Sequence, residues 1–141
     1  MTVSLCVIAY NEERLIRGLL DDISKQTYPH KLTEIVFVNN GSTDTTEELF
    51  SSFANINSDF LRVCIRSQER SNQAAGWNTA ISNAMGDIII RIDAHARIPH
   101  NYISVCCIST AADSSRLERW RMRLRIFLVM FSGWKLGLTM P

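Results

Sequence analysis

The sequence lacks the features that mark secreted, zinc-stabilised and membrane-spanning proteins. The apolar run from Val3 to Tyr10 has no basic leader before it, so we expect no signal peptide. The longest apolar run near the other end, residues 126–131, is too short to cross a bilayer. Four cysteines fit neither a zinc-ligand spacing nor a small disulfide framework: Cys6, Cys64, Cys106 and Cys107. These absences favour a cytoplasmic protein in a reducing setting.

Net charge is also nearly absent, because the formal charge of the 141-residue chain is only +1. This value gives no argument for a nucleic-acid partner. The charges are nevertheless unevenly distributed: residues 1–103 contain nine Lys and Arg against twelve Asp and Glu, whereas residues 104–141 contain six against two. The length allows one domain with a hydrophobic core, and the change of sign near residue 103 indicates that the last part differs from it.

Short apolar runs rich in β-branched residues recur along the first hundred residues. We predict strands at residues 3–9, 34–38, 60–65 and 87–93. A helical pattern lies between each pair of neighbouring strands. Strands that alternate with helices predict an α/β fold, in which right-handed crossovers build a parallel sheet with flanking helices.

The predicted helix boundaries depend on capping residues. Asn11 is a candidate N-cap for the first helix, with Glu12 and Glu13 in its first turn, and the pattern ends before Tyr28. For the second helix, Asp44 and Glu47 resemble a capping pair, and the helix is expected to run through about residue 53. The third helix is predicted at residues 72–85, with Gly86 as the residue that closes it. Trp77 lies on this helix and is expected in the core.

Polar residues follow three of the predicted strands, at positions 10–12, 39–40 and 93–95. In an open α/β sheet the ligand lies beyond the carboxyl ends of the strands, so these segments are the candidate site. Asp93 and His95 can direct a carboxylate and an imidazole toward one ion, a pair that suits Mn²⁺, while a carboxylate with phosphate oxygens suits Mg²⁺. The other segments have simpler readings, since Asn11 can be only a helix cap and Asn39-Asn40 only a turn.

Three segments together carry a resemblance to a known family. They read VSLCVIAYNEE (3–13), EIVFVNNGSTDTT (34–46) and NQAAGWNTAISNAMGDIIIRIDAHA (72–96). In order and spacing they resemble the family 2 glycosyltransferases, and DAHARIP resembles the succinoglycan-type members that build exopolysaccharides. The resemblance implies a Rossmann-like GT-A fold in which residues 1–103 form the half domain that binds a nucleotide sugar. Residues 104–141 are expected to be an atypical basic tail, aberrant or disordered, on a truncated chain that is inactive or nearly so.

The resemblance also implies roles for individual residues. Four residues match the loop that cradles the nucleotide base and ribose: Ala9, Tyr10, Asn11 and Glu12. Asn40 matches the position of an Asp that contacts uracil in many members, and Asn78 matches an Asn on the helix before the metal strand. Asp93 and His95 match the two ends of the D-x-D metal motif, and Asp93 also belongs to the nucleotide-binding set.

Two positions depart from the family pattern. Asn39-Asn40-Gly41-Ser42 stands where Asp-Asp-Gly-Ser is usual, and an amide offers both a donor and an acceptor, which weakens the expected preference for uracil. His95 replaces the second Asp of the metal motif and brings no negative charge, so weaker binding with a bias toward Mn²⁺ is expected. The resemblance implies an inverting, metal-dependent transfer from a UDP-linked sugar to a polysaccharide or lipid-linked acceptor. The catalytic base is expected in the second half of the domain, so no catalytic residue is assigned.

Two other functions remain open. The chain can be a non-catalytic nucleotide-binding module that keeps the donor pocket without the chemistry. Alternatively, the cationic and apolar residues that alternate from Arg119 to Ile126 can hold the protein at the inner face of the cell membrane. The same alternation also fits a solvated edge strand. The sequence does not specify the oligomeric state.

Overall fold

The computed structural model describes residues 1–112 and 126–128. Strands and helices alternate in chain order: β1 (Val3–Ala9), α1 (Ile16–Ser24), β2 (Thr33–Asn39), α2 (Thr46–Ile56), β3 (Arg62–Ser67), α3 (Gln73–Asn83), β4 (Ile88–Asp93), α4 (Tyr102–Ala112) and β5 (Ile126–Leu128), with a 3₁₀ turn (His30–Leu32) before β2. All four predicted strands are present, each within two residues of its predicted ends. Among the described residues, no helix is both long and apolar enough to cross a membrane.

The strands form one parallel sheet in the order β3-β2-β1-β4-β5. This confirms the predicted α/β class. The central strand, β1, pairs with β2 on one side and with β4 on the other, so the chain reverses its direction of travel across the sheet there. Such a switch point leaves a crevice at the carboxyl ends of the two flanking strands, where ligands of open α/β sheets bind.

Helices cover both faces of the sheet. On one face, α1, α2 and α4 enclose the larger core, in which Phe37 stacks on Phe50 with their ring centroids 4.3 Å apart. On the other face, α3 is the one helix among the described residues, and Trp77 contributes to the smaller core there, as predicted. Cys6 is also buried there, and burial, together with the nearby Glu34 and Cys64, raises the pKa of its thiol to about 12. This thiol therefore stays protonated and acts as a small apolar side chain.

The first predicted helix cap is wrong. Helix α1 begins at Ile16, with Leu15 at the N-cap position, and its first turn contains no acidic residue. Asn11 instead has a positive φ of 52°, a conformation that asparagine tolerates better than most residues. The cause is tertiary, because the Asn11 N–H and the Asn11 side-chain oxygen are both hydrogen-bonded to the loop after β2, and the side chain does not cap α1.

The capping pair and the closing glycine are also corrected. The Asp44 carboxylate accepts a hydrogen bond from the Thr46 N–H at 3.0 Å, but the Glu47 carboxylate bonds to Asn39 and not back to the helix start. Helix α3 ends at Asn83, so Gly86 is not its closing residue. A Cβ on Gly86 would lie 2.6 Å from the backbone nitrogen of Ser4, so a close approach to β1 explains the glycine.

A buried polar network joins the amino ends of three strands. The Glu34 side chain, 2% exposed, accepts hydrogen bonds from the Ser4 hydroxyl and from the Met85 N–H, and it lies 3.1 Å from the Arg62 guanidinium. The Gly86 N–H donates to the Ser4 hydroxyl at 2.7 Å. A buried carboxylate persists only when it is paired in this way, so the network fixes the segment before β4 against β1 and β2.

The predicted domain boundary falls inside a helix. Residue 103 lies in the first turn of α4, where Ile103 is fully buried and Cys107 is largely buried in the main core. The Arg-rich stretch at residues 116–125 lies outside the described residues.

Replacing Gly86 with alanine tests the close approach to β1. The new methyl group would meet the backbone of Val3 and Ser4, which cannot shift without disturbing the sheet, so we expect a loss of about 1–3 kcal/mol in the free energy of unfolding. Gly18→Ala is the matched control, because the atoms nearest to its Cβ belong to the exposed Arg97 side chain, which can shift by a few tenths of an ångström, and because alanine adds helix propensity. Urea unfolding measures both, and equal stabilities for the two variants would contradict the packing argument.

Candidate functional site

The strand register brings the predicted site segments to one edge of the sheet. Ala9, the last residue of β1, pairs with Asn39, the last residue of β2. Asp93, the last residue of β4, pairs with Ile8, and Ser67 at the end of β3 pairs with Asn39. The loops that follow four strands therefore leave the sheet side by side.

The loop after β1 is bound along its length to the loop after β2. The Asn11 N–H donates to the Ser42 hydroxyl at 3.0 Å, and the Asn11 side-chain oxygen accepts from the Thr43 N–H at 2.8 Å. The Glu12 N–H donates to the Thr46 hydroxyl at 3.0 Å. These bonds hold Asn11 in its positive-φ conformation. They do not involve the Glu12 carboxylate, which lies near His95.

The two consecutive asparagines after β2 serve different neighbours. The Asn39 side chain, in a residue only 3% exposed, accepts from the Ser42 N–H at 2.9 Å and donates to Glu47, which also accepts from the Ser67 hydroxyl. Asn39 is thus part of a network that joins β2, α2 and β3, a role that its place in a turn-rich segment did not reveal.

The Asn40 side chain is bound to the loop between β3 and α3. Its amide donates to the Ser71 carbonyl at 2.9 Å, and its oxygen accepts from the Gln68 amide and the Ser71 hydroxyl, both at 2.8 Å. Gln68 in turn accepts from the Thr79 hydroxyl on α3 at 2.7 Å. Both polar ends of the Asn40 amide therefore have partners within the protein.

Tyr10, in the loop after β1, forms a stacked pair with an arginine from the loop between β3 and α3. The Arg70 guanidinium lies over the Tyr10 ring, 4.4 Å from its centroid. The approach depends on Gly41, whose φ is +79° and where a Cβ would lie 2.5 Å from the Arg70 backbone nitrogen. Tyr10, Gly41 and Arg70 therefore lie together next to the carboxyl end of β1.

The two candidate metal ligands lie at the carboxyl end of β4, where Asp93 is the last residue of the strand and His95 comes two residues later. The Asp93 side chain is 16% exposed, with its Oδ1 3.6 Å from the Arg91 Nη2. His95 is more exposed, and its Nδ1 lies 3.7 Å from a carboxylate oxygen of Glu12 in the β1 loop. The structure thus brings Glu12 and His95 together, whereas Asn78 lies on α3 with an exposed side chain.

Arg91 is a site residue that the sequence analysis missed. Its guanidinium lies over the Trp77 indole, 4.1 Å from the ring centroid, and its Nε is buried without a hydrogen-bond partner. The signal was present in the strand pattern, because positions i and i+2 of a strand face the same side and so place Arg91 beside Asp93. Arg91 was not predicted as a site residue because the residues on either side of it are isoleucines, which indicate a buried strand.

The described residues contain no group of three or more His, Cys, Asp or Glu side chains arranged to hold a metal ion. Asp93 and His95 offer two ligand groups of suitable chemistry, one carboxylate oxygen and one imidazole nitrogen. Ions that bind nucleotide phosphates often take only one or two side chains and complete their coordination with phosphate oxygens and water. The residues present fit an ion of that kind and do not fit a metal held by the protein alone.

An ion pair braces the loop that carries His95. The Arg97 guanidinium binds the Asp22 carboxylate on α1 through two contacts of 2.6 and 2.9 Å, and the Ile98 N–H donates to the same carboxylate at 3.0 Å. The hydrogen bond from Arg97 lowers the pKa of Asp22 despite partial burial. These contacts fix the end of the loop at residues 97–98, leaving His95 between two anchored points.

Comparison with known proteins gives a consistent family match. The profile of glycosyl transferase family 2 matches residues 4–107. Glycosyltransferase GlyA of Streptococcus pneumoniae is 34% identical over 101 residues, which are 72% of this chain and 14% of that protein. The chain therefore spans about one seventh of the length of this curated relative.

Solved structures show the same fold. The mannosyltransferase PcManGT of Pyrobaculum calidifontis, in complex with GDP-Man and Mn²⁺, matches with a TM-score of 0.65 and 37% identity over 69% of this chain and 28% of that one. TarS of Staphylococcus aureus matches with a TM-score of 0.68 over 84% of this chain and 20% of that one. At 24% identity the second match shows the fold alone.

The Asp22–Arg97 ion pair predicts an acid-dependent stability. The Asp22 pKa is lowered from its ordinary value of 3.8, so in acid the unfolded chain binds more protons than the folded chain. Its contribution is complete above that ordinary value and is lost as the pH falls through the lowered pKa. We expect Asp22→Asn to lose about 1 kcal/mol at pH 7 and to show a shallower decline between pH 4 and about pH 2.

Asp21→Asn is the control for this experiment. Asp21 is an exposed neighbour that pairs with Lys25 within α1, and exposed pairs of this kind contribute only a few tenths of a kcal/mol. Urea unfolding at pH 7 and pH 3 measures both variants. An Asp22→Asn protein whose stability changes with pH as steeply as that of the wild type would show that the ion pair does not cause the dependence.

Proposed function

The chain belongs to glycosyl transferase family 2, and we propose that it forms the part of a glycosyltransferase that binds the nucleotide-sugar donor. The observation that carries the proposal is the register of the sheet, which aligns the ends of β1, β2 and β4 at a switch point, so that Tyr10, Asn40 and Asp93 lie at the ends of neighbouring strands. The PcManGT structure, 37% identical, holds a nucleotide sugar and Mn²⁺, which supports a donor of the same chemical class.

The base and ribose of the donor are proposed to contact the loop after β1 and its neighbours. Ala9, Tyr10, Asn11 and Glu12 are the residues from this loop, and Asn40 and Asn78 complete the set. Tyr10 offers an aromatic face beside the crevice, although Arg70 covers part of it. Since the Asn40 amide already has partners at both ends, we propose that it acts on the base mainly by fixing the loop that contains Gln68 and Ser71.

Asp93 and His95 are proposed to hold a divalent ion, Mn²⁺ or Mg²⁺, with a bias toward Mn²⁺ because of the imidazole. Such an ion supplies positive charge against the negative charge that develops on a leaving nucleoside diphosphate. Asp93 contributes a carboxylate that is fixed at the end of β4. Glu12, 3.7 Å from Nδ1 of His95, favours the orientation that leaves Nε2 available as a ligand.

The reaction is proposed to be an inverting displacement at the anomeric carbon of the sugar, with a polysaccharide or lipid-linked acceptor. No residue is assigned as the base that removes a proton from the acceptor hydroxyl. We propose that the donor-binding unit includes α4, because Ile103 and Cys107 pack in the main core. A cytoplasmic location, with contact at the inner face of the membrane, and a separate role for the last residues are likewise proposals.

Calorimetric titration with nucleotides tests the donor site. We expect UDP, with GDP as the competing candidate, to bind in the presence of Mn²⁺, and Asp93→Asn to weaken this binding by about tenfold or more, because the variant loses a charged ligand. Comparing UDP with GDP identifies the preferred base. The family resemblance leads us to expect uracil, whereas the PcManGT structure contains a guanine nucleotide, GDP-Man.

Asp59→Asn is the matched control. Asp59 is an exposed carboxylate before β3, at the opposite edge of the sheet, where it pairs with His30. Equal weakening by both substitutions, or the absence of nucleotide binding by a chain that circular dichroism shows to be folded, would refute the donor site. Binding without transfer or donor hydrolysis fits both the donor-binding part of an enzyme and the non-catalytic module, whereas detectable transfer or donor hydrolysis would refute the module.

A further inference from the structure

The end of β4 carries a fixed positive charge beside the carboxylate proposed to bind an ion. Arg91 and Asp93 lie on the same face of the strand, with Nη2 3.6 Å from Oδ1. Both side chains are sheltered, at 25% and 16% exposed respectively. Since solvent screens such a pair only partly, the guanidinium offsets much of the negative charge that Asp93 presents to a cation.

Arg91 has little freedom to move away from Asp93. Its guanidinium stacks on the Trp77 indole, and its Nε is buried. Trp77 itself is 9% exposed and belongs to the core beneath α3. Withdrawing the guanidinium would break the cation–π contact and open a space against the indole, so the positive charge is a permanent part of the site.

The charges around the candidate ligands can be counted from the described residues. Arg91 is positive, Asp93 and Glu12 are negative, and His95 adds no negative charge. Glu12 lies beside His95, and Arg91 lies beside Asp93. A divalent cation that approaches Asp93 alone therefore meets a carboxylate whose charge is already offset. A diphosphate that arrives with the cation adds negative charge that favours both the cation and Arg91.

We propose that Arg91 makes the binding of a divalent cation at Asp93 and His95 depend on the nucleotide diphosphate. Arg91 acts as a positioning and charge-setting residue: it disfavours the cation alone and favours the anionic nucleotide. This inference rests on the proposed donor site and adds to it the order in which the two ligands are taken up. The coupling is reciprocal, so the nucleotide raises the affinity for the cation by the same factor by which the cation raises the affinity for the nucleotide.

Uptake of Mn²⁺, followed by the loss of the free Mn²⁺ signal in electron paramagnetic resonance, tests the proposal without an activity assay. Arg91→Met removes the charge but keeps an unbranched side chain that can pack against Trp77. Without nucleotide, we expect this variant to bind Mn²⁺ roughly threefold to tenfold more tightly than the wild type. Arg91→Lys keeps the charge and should stay close to the wild type.

Arg66→Met is the matched control for net charge. Arg66 lies on β3, on the same face of the sheet as Arg91 but three strands away, or roughly 14 Å at the usual strand spacing. This exceeds the Debye length of about 10 Å at 0.1 M salt, so its removal should leave Mn²⁺ uptake unchanged. Thermal unfolding confirms that each variant is folded, and Arg91→Gln replaces Arg91→Met if the latter fails to fold.

A second titration measures nucleotide binding without the cation. With UDP or GDP, whichever the wild type binds, Arg91→Met should bind nucleotide more weakly in EDTA, because the anionic nucleotide loses a positive charge. If Arg91 has a purely structural role, Arg91→Met should bind Mn²⁺ more weakly than the wild type in the absence of nucleotide, which is the opposite of the result expected here. Equal Mn²⁺ uptake by wild type and Arg91→Met, including none by either, overturns the proposal. If nucleotide binding is normal in the wild type, that outcome leaves the donor site intact; if the wild type binds no nucleotide, the donor site fails as well.

Discussion

The pairing of β1 with both β2 and β4 is the constraint on which the candidate site depends. Each strand leaves the sheet at a residue that this pairing fixes, so the positions of Ala9, Asn39 and Asp93 relative to one another are set by backbone hydrogen bonds and not by the loops. The loops then bind one another, most closely around Asn11 and Thr43. A site assembled on this edge is thus built on the most buried part of the molecule.

The sequence was sufficient to predict four strands of the sheet and the edge at which the candidate residues meet, because both follow from local pattern. Buried parallel strands such as Thr33–Asn39 read as continuous apolar runs, and the rule about carboxyl ends then places Asp93 without knowledge of any contact. Which side chains meet could not be predicted in the same way. Asn11 was predicted as a candidate helix cap, but the loop after β2 binds both its N–H and its side-chain oxygen. Arg91 was predicted only as a residue of the fourth strand, whereas its guanidinium stacks on Trp77 from a separate helix.

The second asparagine after β2 shows how an amide changes what a position can do. A carboxylate there could only accept hydrogen bonds, whereas Asn40 both donates to the Ser71 carbonyl and accepts from its hydroxyl. The loop between β3 and α3 is consequently bound to the end of β2 by hydrogen bonds that Asn40 both donates and accepts. Arg70, which covers Tyr10, belongs to this loop, so one loop contacts both the aromatic ring and the amide.

The buried Glu34 network, far from the site, restricts how the strands can slide past one another. A shift of β2 by one residue would turn the Glu34 carboxylate to the opposite face of the sheet, into the Phe37–Phe50 core, and a shift by two would take it from Ser4 and the Met85 N–H. Either slip would leave a charge buried without partners. The amino edge therefore fixes the register of the strands independently of the loops at the carboxyl edge, so substitutions in those loops need not alter the spacing between the strands that carry them.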